Sequence, residues 1–129
     1  MNMNAATIVN QDSSDAGEDR VFESAAELFS ILATPVRLKI ISAVCHEEKN
    51  VSQLLEIIDT TQPNMSQHLS VLYRAGVLGK RRDSTQIYYR LESERVATLC
   101  RAVCTQVAIE MDPQAELPPG DRLLPAGVR

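Results

Sequence analysis

The sequence predicts a mainly α-helical fold with one β-hairpin, in the order of four helices, the hairpin and a long fifth helix. Three observations indicate this order. Apolar residues recur every three or four positions between residues 22 and 72, which is the period of helices with one buried face. Two short runs of β-forming residues then flank a polar turn, as in a hairpin. The helical period returns between residues 96 and 107.

The folded part of the chain is expected to span residues 18–111. Residues 1–17 are rich in Asn, Ser, Asp and Ala without an apolar period, and they predict a disordered arm. Residues 112–129 are rich in proline and predict an irregular tail. With 129 residues, the chain has room for one domain but not for an additional catalytic domain.

The helix boundaries follow from local signals. The first helix ends near Ala33, and Pro35 then occupies a first helical position, where proline is favoured. A short third helix spans about Val51–Ile58. The fourth begins at a polar cap followed by Pro63, and it ends at Gly76, since glycine readily adopts the left-handed conformation that closes a helix. The buried stripe of the fourth helix is Met65, Leu69 and Leu72.

The hairpin and the last helix complete the pattern. Residues 77–82 and 86–91 predict the two strands, joined by the turn Asp83-Ser84-Thr85. The last helix is expected from about Glu92 to Met111. Its predicted apolar face consists of Val96, Leu99, Val103 and Val107.

The charge distribution favours a nucleic-acid partner, although the formal net charge of the chain is −4. The segment from Met65 to Arg90 carries five basic residues and one acidic residue, so a local basic stripe is present. Small or amide-bearing side chains, which hydrogen-bond base edges and phosphates, occupy the solvent face of the fourth helix. A short helix, a capped turn, a polar helix and a basic hairpin in this order predict a winged helix-turn-helix that reads the major groove. The predicted DNA contacts are Gln62, Asn64, Ser66, Gln67, Ser70 and Arg74 on the helix and Lys80, Arg81, Arg82 and Arg90 on the hairpin.

Four segments carry a resemblance to a known family. ATPVRL at 33–38, QPNMSQHL at 62–69, LYRAGVL at 72–78 and YYRL at 88–91 resemble the ArsR/SmtB family of bacterial repressors. The resemblance covers about residues 20–110. It implies a homodimeric repressor that binds double-stranded operator DNA without a cofactor, leaves the DNA when an inducer binds, and dimerises through its first and last helices. It also places His68 in the recognition helix, where a DNA contact or a structural role is expected rather than metal binding.

The cysteines are the candidate inducer site. Many arsenic and cadmium sensors of the family carry Cys-x-Cys at the start of the third helix, where this chain has Asn50 and Ser52. Zinc sensors carry histidines on the last helix, which has none here. Three thiols remain, and they are Cys45, Cys100 and Cys104.

The spacing of these thiols predicts a metalloid site. Cys100 and Cys104 lie one turn apart on the same face of the last helix. The resemblance implies that the second helix, which ends near Cys45, packs against the last one, so all three sulfurs would converge. Three thiolates suit a trivalent centre such as arsenite, As(III), or antimonite, Sb(III), whereas zinc prefers a fourth ligand.

A second interpretation stays open at this point. Some family members sense persulfides or oxidants through one cysteine on the second helix and one on the last, which become bridged. Cys45 with Cys100 or Cys104 matches that scheme if the thiols are accessible. The matching positions of that subgroup fall nearer Ser42 and Ala108, and this offset favours the metalloid.

An enzyme or a membrane protein receives no support from the sequence, and a winged helix that binds only proteins is less favoured than one that binds DNA because of the basic hairpin and the amide-rich fourth helix. No glycine-rich phosphate loop or nucleophile motif is present, so an enzyme is not expected. No apolar run is long enough to span a membrane, and the N-terminus does not resemble a secretory signal. An odd number of cysteines fits a reducing compartment, and a cytoplasmic location is therefore expected.

Overall fold

A computed structural model describes the backbone of residues 2–112 and the side chains of residues 15–112. The chain divides after Ala33 into two units. The first unit consists of helix α1 (Asn2–Leu32), so the backbone of residues 2–17 is helical where the sequence predicts a disordered arm. The division into arm, folded part and tail stays a prediction, and residues 113–129 of the predicted tail lie outside the described residues.

The second unit is the winged helix-turn-helix that the sequence predicts. Its elements in order are α2 (Pro35–Val44), β1 (Lys49–Asn50), α3 (Val51–Ile57), α4 (Gln62–Arg74), β2 (Leu78–Asp83), β3 (Gln86–Leu91) and α5 (Glu94–Met111). Strands β2 and β3 form the hairpin, which is the wing.

Strand β1 was not predicted. It pairs antiparallel with β3, with Lys49 opposite Tyr89 and Asn50 opposite Tyr88, and the sheet order is β1-β3-β2. A strand of two residues has no alternation of its own to reveal it, because its pairing depends on a partner far along the chain. It anchors the wing to the segment that joins α2 to α3.

Side chains of the preceding residues cap the helices of the second unit. Thr34 accepts a hydrogen bond from the backbone N–H of Arg37 at 3.1 Å, and Thr61 accepts one from that of Asn64 at 3.2 Å. Asn50 and Gln53 satisfy each other's backbone N–H groups at 2.9 and 2.8 Å, which is a capping box. These caps define where α2, α3 and α4 begin.

The core lies between α2, α3, α4, the sheet and the start of α5. The predicted stripe of α4 is confirmed, since Met65, Leu69 and Leu72 are fully buried. Other fully buried side chains are Ile40, Ile41, Leu54, Val77, Leu78 and Val96. None of the helices in the described part of the chain is long and apolar enough to cross a bilayer.

Helix α5 differs from the prediction along its second half. Val96 is buried, but Val103 is 53% exposed and Val107 is 45% exposed. Ile109 and Met111 are exposed as well. A regular apolar spacing shows that a helix has an apolar face, but it does not show which surface covers that face. In this chain, α5 therefore presents apolar side chains outward.

The end of α4 is closed by a Schellman motif. Gly76 has a φ of 78°, its N–H donates to the carbonyl of Tyr73 at 3.0 Å, and the N–H of Val77 donates to that of Leu72 at 3.0 Å. Val77 is buried directly after the turn. The motif thus links the orientation of α4 to the start of the wing.

We expect Gly76→Ala to lower the free energy of unfolding by about 1–2 kcal/mol, because a Cβ is disfavoured at this positive φ. Urea denaturation at fixed protein concentration measures the change. Gly17→Ala is the matched control, since Gly17 lies within α1, has open space around it and carries no positive φ. An equal loss in both variants would show that the conformation at Gly76 is not the cause.

Candidate nucleic-acid interface

Helix α4 presents a polar face because its apolar stripe is buried on the other side. Thr61 caps the helix and Pro63 lies in its first turn, so the chain enters α4 directly from the turn that follows α3. Five of the predicted DNA contacts on this helix are exposed, namely Gln62, Asn64, Ser66, Gln67 and Arg74. The geometry is compatible with insertion into a major groove.

Arg74 and Ser70 are engaged with each other. The Nη2 of Arg74 donates to Ser70 Oγ at 2.9 Å, and Ser70 is half-buried. Arg74 therefore lies back along its own helix, near the end where the wing begins.

His68 is half-buried and faces α2. Its Nδ1 accepts a hydrogen bond from Arg37 Nε at 3.0 Å. Burial, followed by the positive charge of Arg37, lowers the pKa of His68 below its ordinary value. Nδ1 accepts only when it carries no proton, so the neutral imidazole forms this contact.

The four basic wing residues predicted as phosphate contacts lie on opposite faces of the sheet. Cross-strand partners share a face, and Lys80 pairs with Tyr89 while Arg82 pairs with Ile87. Ile87 and Tyr89 line a cleft together with α3 and α4, and Lys80 lies 4.2 Å from the ring centroid of Tyr73 on α4. Lys80 and Arg82 are therefore on the sheet face beside the helix-turn-helix, which we call the inner face.

Arg81 and Arg90 occupy the opposite, outer face, and both have acidic partners. Arg81 donates hydrogen bonds from Nε and Nη2 to Glu48, and its Nε lies 2.8 Å from Oε1. The guanidinium of Arg81 also lies 4.9 Å from the ring centroid of Tyr88. The hydrogen bond with Arg81 lowers the pKa of Glu48, and Glu48 in turn raises the pKa of Arg81. Arg90 Nε donates to Glu92 at 3.0 Å.

The cleft between the wing and the helices has a volume of about 380 Å³. Polar and apolar side chains of α3, α4 and the wing line it, so the start of α4 and the tip of the wing border the same cleft. Its polar lining residues are Ser52, Gln62, Ser66, Thr85, Gln86 and Tyr89.

The predicted inducer thiols differ in their surroundings. Cys100 is buried, and burial together with the nearby Cys104 raises the pKa of its thiol to about 11. Cys104 is half-buried, one turn further along α5. Cys45 is half-buried and donates to the carbonyl of Ser42 at 3.4 Å.

Cys45 lies on a separate cavity of about 210 Å³ at the start of α5. It shares this cavity with Ala97, Thr98 and Arg101, and the Nε of Arg101 is buried without a hydrogen-bond partner. Successive residues of a helix are rotated by about 100°, so Cys100 points to a different side of α5 than Arg101 does.

The structure does not bring the three thiols together as one preformed site. Among residues 15–112, no group of three His, Cys, Asp or Glu side chains is placed to hold a metal ion. The prediction of Cys100 and Cys104 as neighbours agrees with their positions, but Cys45 faces α5 beside the cavity. The relation of Cys45 to α5 depends on how two helices are rotated, which spacing along one helix does not determine.

The sequence patterns did not predict three residues that the structure places at functional positions. Arg37 hydrogen-bonds to His68 on α4, Glu48 pairs with Arg81 on the wing, and Arg101 lines the same cavity as Cys45. Glu48 and Arg81 are 33 residues apart in the sequence, so no local pattern links them.

Comparison with known proteins identifies the family. The family model for bacterial regulatory proteins of the arsR family matches residues 34–80. A biofilm growth-associated repressor of Agrobacterium fabrum is 39% identical over 88 residues, which are 68% of this chain and 74% of that protein. The chain belongs to the ArsR family. This ArsR-family chain is a transcriptional repressor, and members of its family bind operator DNA.

Solved structures agree with the fold. The transcriptional repressor BigR of Xylella fastidiosa is 34% identical, with a TM-score of 0.62 over 79% of this ArsR-family chain and 99% of BigR. A possible ArsR-family regulator of Mycobacterium bovis is 23% identical, with a TM-score of 0.65 over 78% of this chain and 94% of that one. Its winged helix-turn-helix domain is described as homodimeric. These relatives are transcriptional regulators rather than enzymes.

The two faces of the wing are expected to contribute differently to DNA binding. Arg82→Gln should reduce the dependence of log K on log salt by about 0.9 for each wing that contacts DNA, because one phosphate contact is lost. Arg81→Gln should leave that slope unchanged, because Arg81 lies on the outer face and pairs with Glu48.

Fluorescence anisotropy with a labelled duplex at increasing salt measures both slopes. A duplex of arbitrary sequence suffices, since the phosphate contribution does not depend on sequence. A slope that falls for Arg81→Gln and not for Arg82→Gln would reverse the assignment of the faces.

Proposed function

We propose that this repressor leaves its operator when a trivalent metalloid, arsenite or antimonite, binds Cys45, Cys100 and Cys104. The observation that carries the proposal is the pair Cys100 and Cys104, which lies one turn apart on α5 and interacts closely enough for Cys104 to raise the pKa of Cys100. A pair of thiols at this spacing suits a soft centre that binds sulfur. Cys45 would supply the third ligand from the end of α2.

The chemistry of arsenous acid fits a protonated thiol. Each ligand exchange breaks one As–O and one S–H bond and forms one As–S and one O–H bond, which releases water without any change in oxidation state. Three exchanges yield three water molecules and no net proton. A divalent cation must instead displace the thiol proton, so a raised pKa weakens its binding. The high pKa of Cys100 therefore favours the neutral metalloid over a metal cation.

Binding would couple to DNA release through α5. Because the three thiols are not assembled in the described residues, the ligand would have to draw the end of α2 and α5 together. The exposed apolar side chains of α5, including Val103 and Val107, are proposed as part of a homodimer contact. A shift of α5 in a dimer would alter the spacing of the two recognition helices. DNA is released only if the ligand binds the DNA-free arrangement more tightly.

A second candidate inducer is a persulfide or an oxidant. The observation that favours it is the cavity beside Cys45, which gives a small sulfur donor access to one thiol and places Arg101 next to it. A persulfide would transfer its outer sulfur to Cys45 and leave as a thiol, and the thiol of Cys100 or Cys104 would then attack the inner sulfur of the Cys45 persulfide, which forms a disulfide and releases hydrogen sulfide. Cys100 is the poorer partner because its raised pKa keeps it protonated.

Replacing each cysteine by serine tests the proposed site. We expect Cys45→Ser, Cys100→Ser and Cys104→Ser each to bind an operator duplex as wild type does and to need at least about tenfold more arsenite for release, since one As–S bond is lost. The operator is obtained by selection from a random duplex pool with the wild-type protein. Mobility shift with arsenite, antimonite, zinc and a persulfide donor provides the measurement.

The variants also separate the two inducers. A persulfide mechanism requires Cys45 and one α5 thiol, whereas the metalloid site requires all three thiols. If the triple serine variant still responds to arsenite or antimonite, the proposed site is wrong. If wild type responds only to the persulfide donor, and one α5 cysteine is dispensable, the second candidate replaces the first.

The proton balance of binding provides an independent test. At pH 7 we expect Cys100 to contribute neither proton uptake nor release when arsenite binds, because its pKa of about 11 keeps it protonated. Binding of cadmium through the same thiol should release its proton. Calorimetry in two buffers of different ionisation enthalpy, on wild type and Cys100→Ser, gives the contribution of Cys100. Proton uptake with arsenite would mean that Cys100 is a thiolate, contrary to its buried position.

A further inference from the structure

The recognition helix is joined to α2 by a polar contact between side chains. Arg37 Nε donates to His68 Nδ1 at 3.0 Å, across 31 residues of sequence. The buried residues that α2 and α4 contribute to the core are apolar, such as Ile41 and Leu69. Apolar burial is not directional, whereas a hydrogen bond depends on angle and distance. The Arg37–His68 bond is therefore suited to setting the rotation of α4 about its own axis.

That rotation matters for DNA reading. His68 lies in the middle of α4, directly after Ser66 and Gln67, whose side chains are exposed on the polar face. A rotation of α4 would move these side chains relative to base edges, and base-edge hydrogen bonds lose strength quickly with misalignment. His68 itself is half-buried against α2, with one ring nitrogen already occupied.

We propose that Arg37 and His68 are positioning residues for DNA reading, and that full operator affinity requires the neutral form of His68. Of the two roles expected for His68, a DNA contact and a structural role, this assignment takes the structural one. It rests on the DNA binding of the family and is independent of the inducer.

The charges around His68 determine the direction of the pH effect. Burial, followed by the positive charge of Arg37 on α2, lowers the pKa of His68, and Lys39, the other charged residue of α2, is not among the causes. The charged residues of the other elements packed against α4 are not among the causes of that shift, and they are Glu56 of α3 and Lys80, Arg81, Arg82 and Asp83 of β2.

Because the folded-state pKa of His68 is lowered, the bond contributes fully above the ordinary histidine value of about 6.5 and is lost as the pH falls through the lowered folded-state pKa. Protonation also brings two positive charges together. A histidine that contacted phosphate would behave in the opposite way, since protonation would add an attraction to DNA. The sign of the pH dependence therefore distinguishes positioning from contact.

The test compares His68→Asn and His68→Leu with wild type on an operator selected at pH 7.5. Asn Oδ1 can occupy a place close to that of Nδ1 and accepts a hydrogen bond without titrating in this range. We expect wild type to lose operator affinity as the pH falls from 7.5 through the lowered pKa of His68, with a full loss of about tenfold, which corresponds to one hydrogen bond, once His68 is protonated. His68→Asn should bind within about threefold of wild type at pH 7.5 and should not vary with pH.

His68→Leu and Arg37→Met should bind the operator about tenfold more weakly at pH 7.5, with unchanged affinity for a duplex of arbitrary sequence. His46→Gln is the matched control, because His46 is exposed and is the other histidine of the chain. It should retain the wild-type pH profile. Circular dichroism shows that each variant is folded at each pH.

Three results would overturn the proposal. They are an operator affinity of wild type that rises towards pH 5.5, a His68→Asn profile that follows wild type, and unchanged operator binding by His68→Leu at pH 7.5. His68→Asn keeps the test decisive even if His68→Leu fails to fold.

Discussion

The burial of one apolar stripe on α4 is the constraint on which the DNA-reading surface depends. Met65, Leu69 and Leu72 are fully buried, and each contributes about 2 kcal/mol of apolar burial. Because these residues occupy one side of the helix, the amide and hydroxyl side chains must face solvent. The Schellman motif at Gly76 then leads from the same helix into the wing, so the stripe also determines where the wing begins. A single packing preference thus orders both parts of the interface.

The attraction of the chain to DNA depends on which face of the sheet carries unpaired basic residues and not on the net charge of the chain. The chain is acidic overall, with a net charge of −4, yet it belongs to a family of DNA-binding repressors. On the outer face of the sheet Arg81 and Arg90 are compensated by Glu48 and Glu92. The inner face keeps Lys80 and Arg82 beside the recognition helix. The attraction to a polyanion is therefore confined to one side, and the remaining negative charge disfavours other orientations of the protein on DNA.

The sequence predicts the local features of this structure well, because short-range rules govern them. Caps, proline at helix starts, Gly76 and the stripe of α4 all depend on residues within one or two turns. Strand β1 and the Glu48–Arg81 pair depend on partners more than thirty residues away, and no local pattern predicts them. Val103 and Val107 illustrate a different limit, since helical spacing identifies an apolar face without identifying the surface that covers it.

The positions of the cysteines depend in part on local sequence and in part on packing between helices. The spacing of Cys100 and Cys104 is local and was predictable, whereas the position of Cys45 depends on the packing of α2 against α5.

The cavity beside Cys45 has a physical consequence for the proposed induction. In a closely packed interior, a ligand cannot draw two helices together without a steric cost. The cavity leaves room for the end of α2 to move, while Ile40 and Ile41 hold the rest of that helix in the core. A movement of Cys45 would also displace Glu48, which follows it by three residues. Because Glu48 is hydrogen-bonded to Arg81, the wing would be displaced as well as α5.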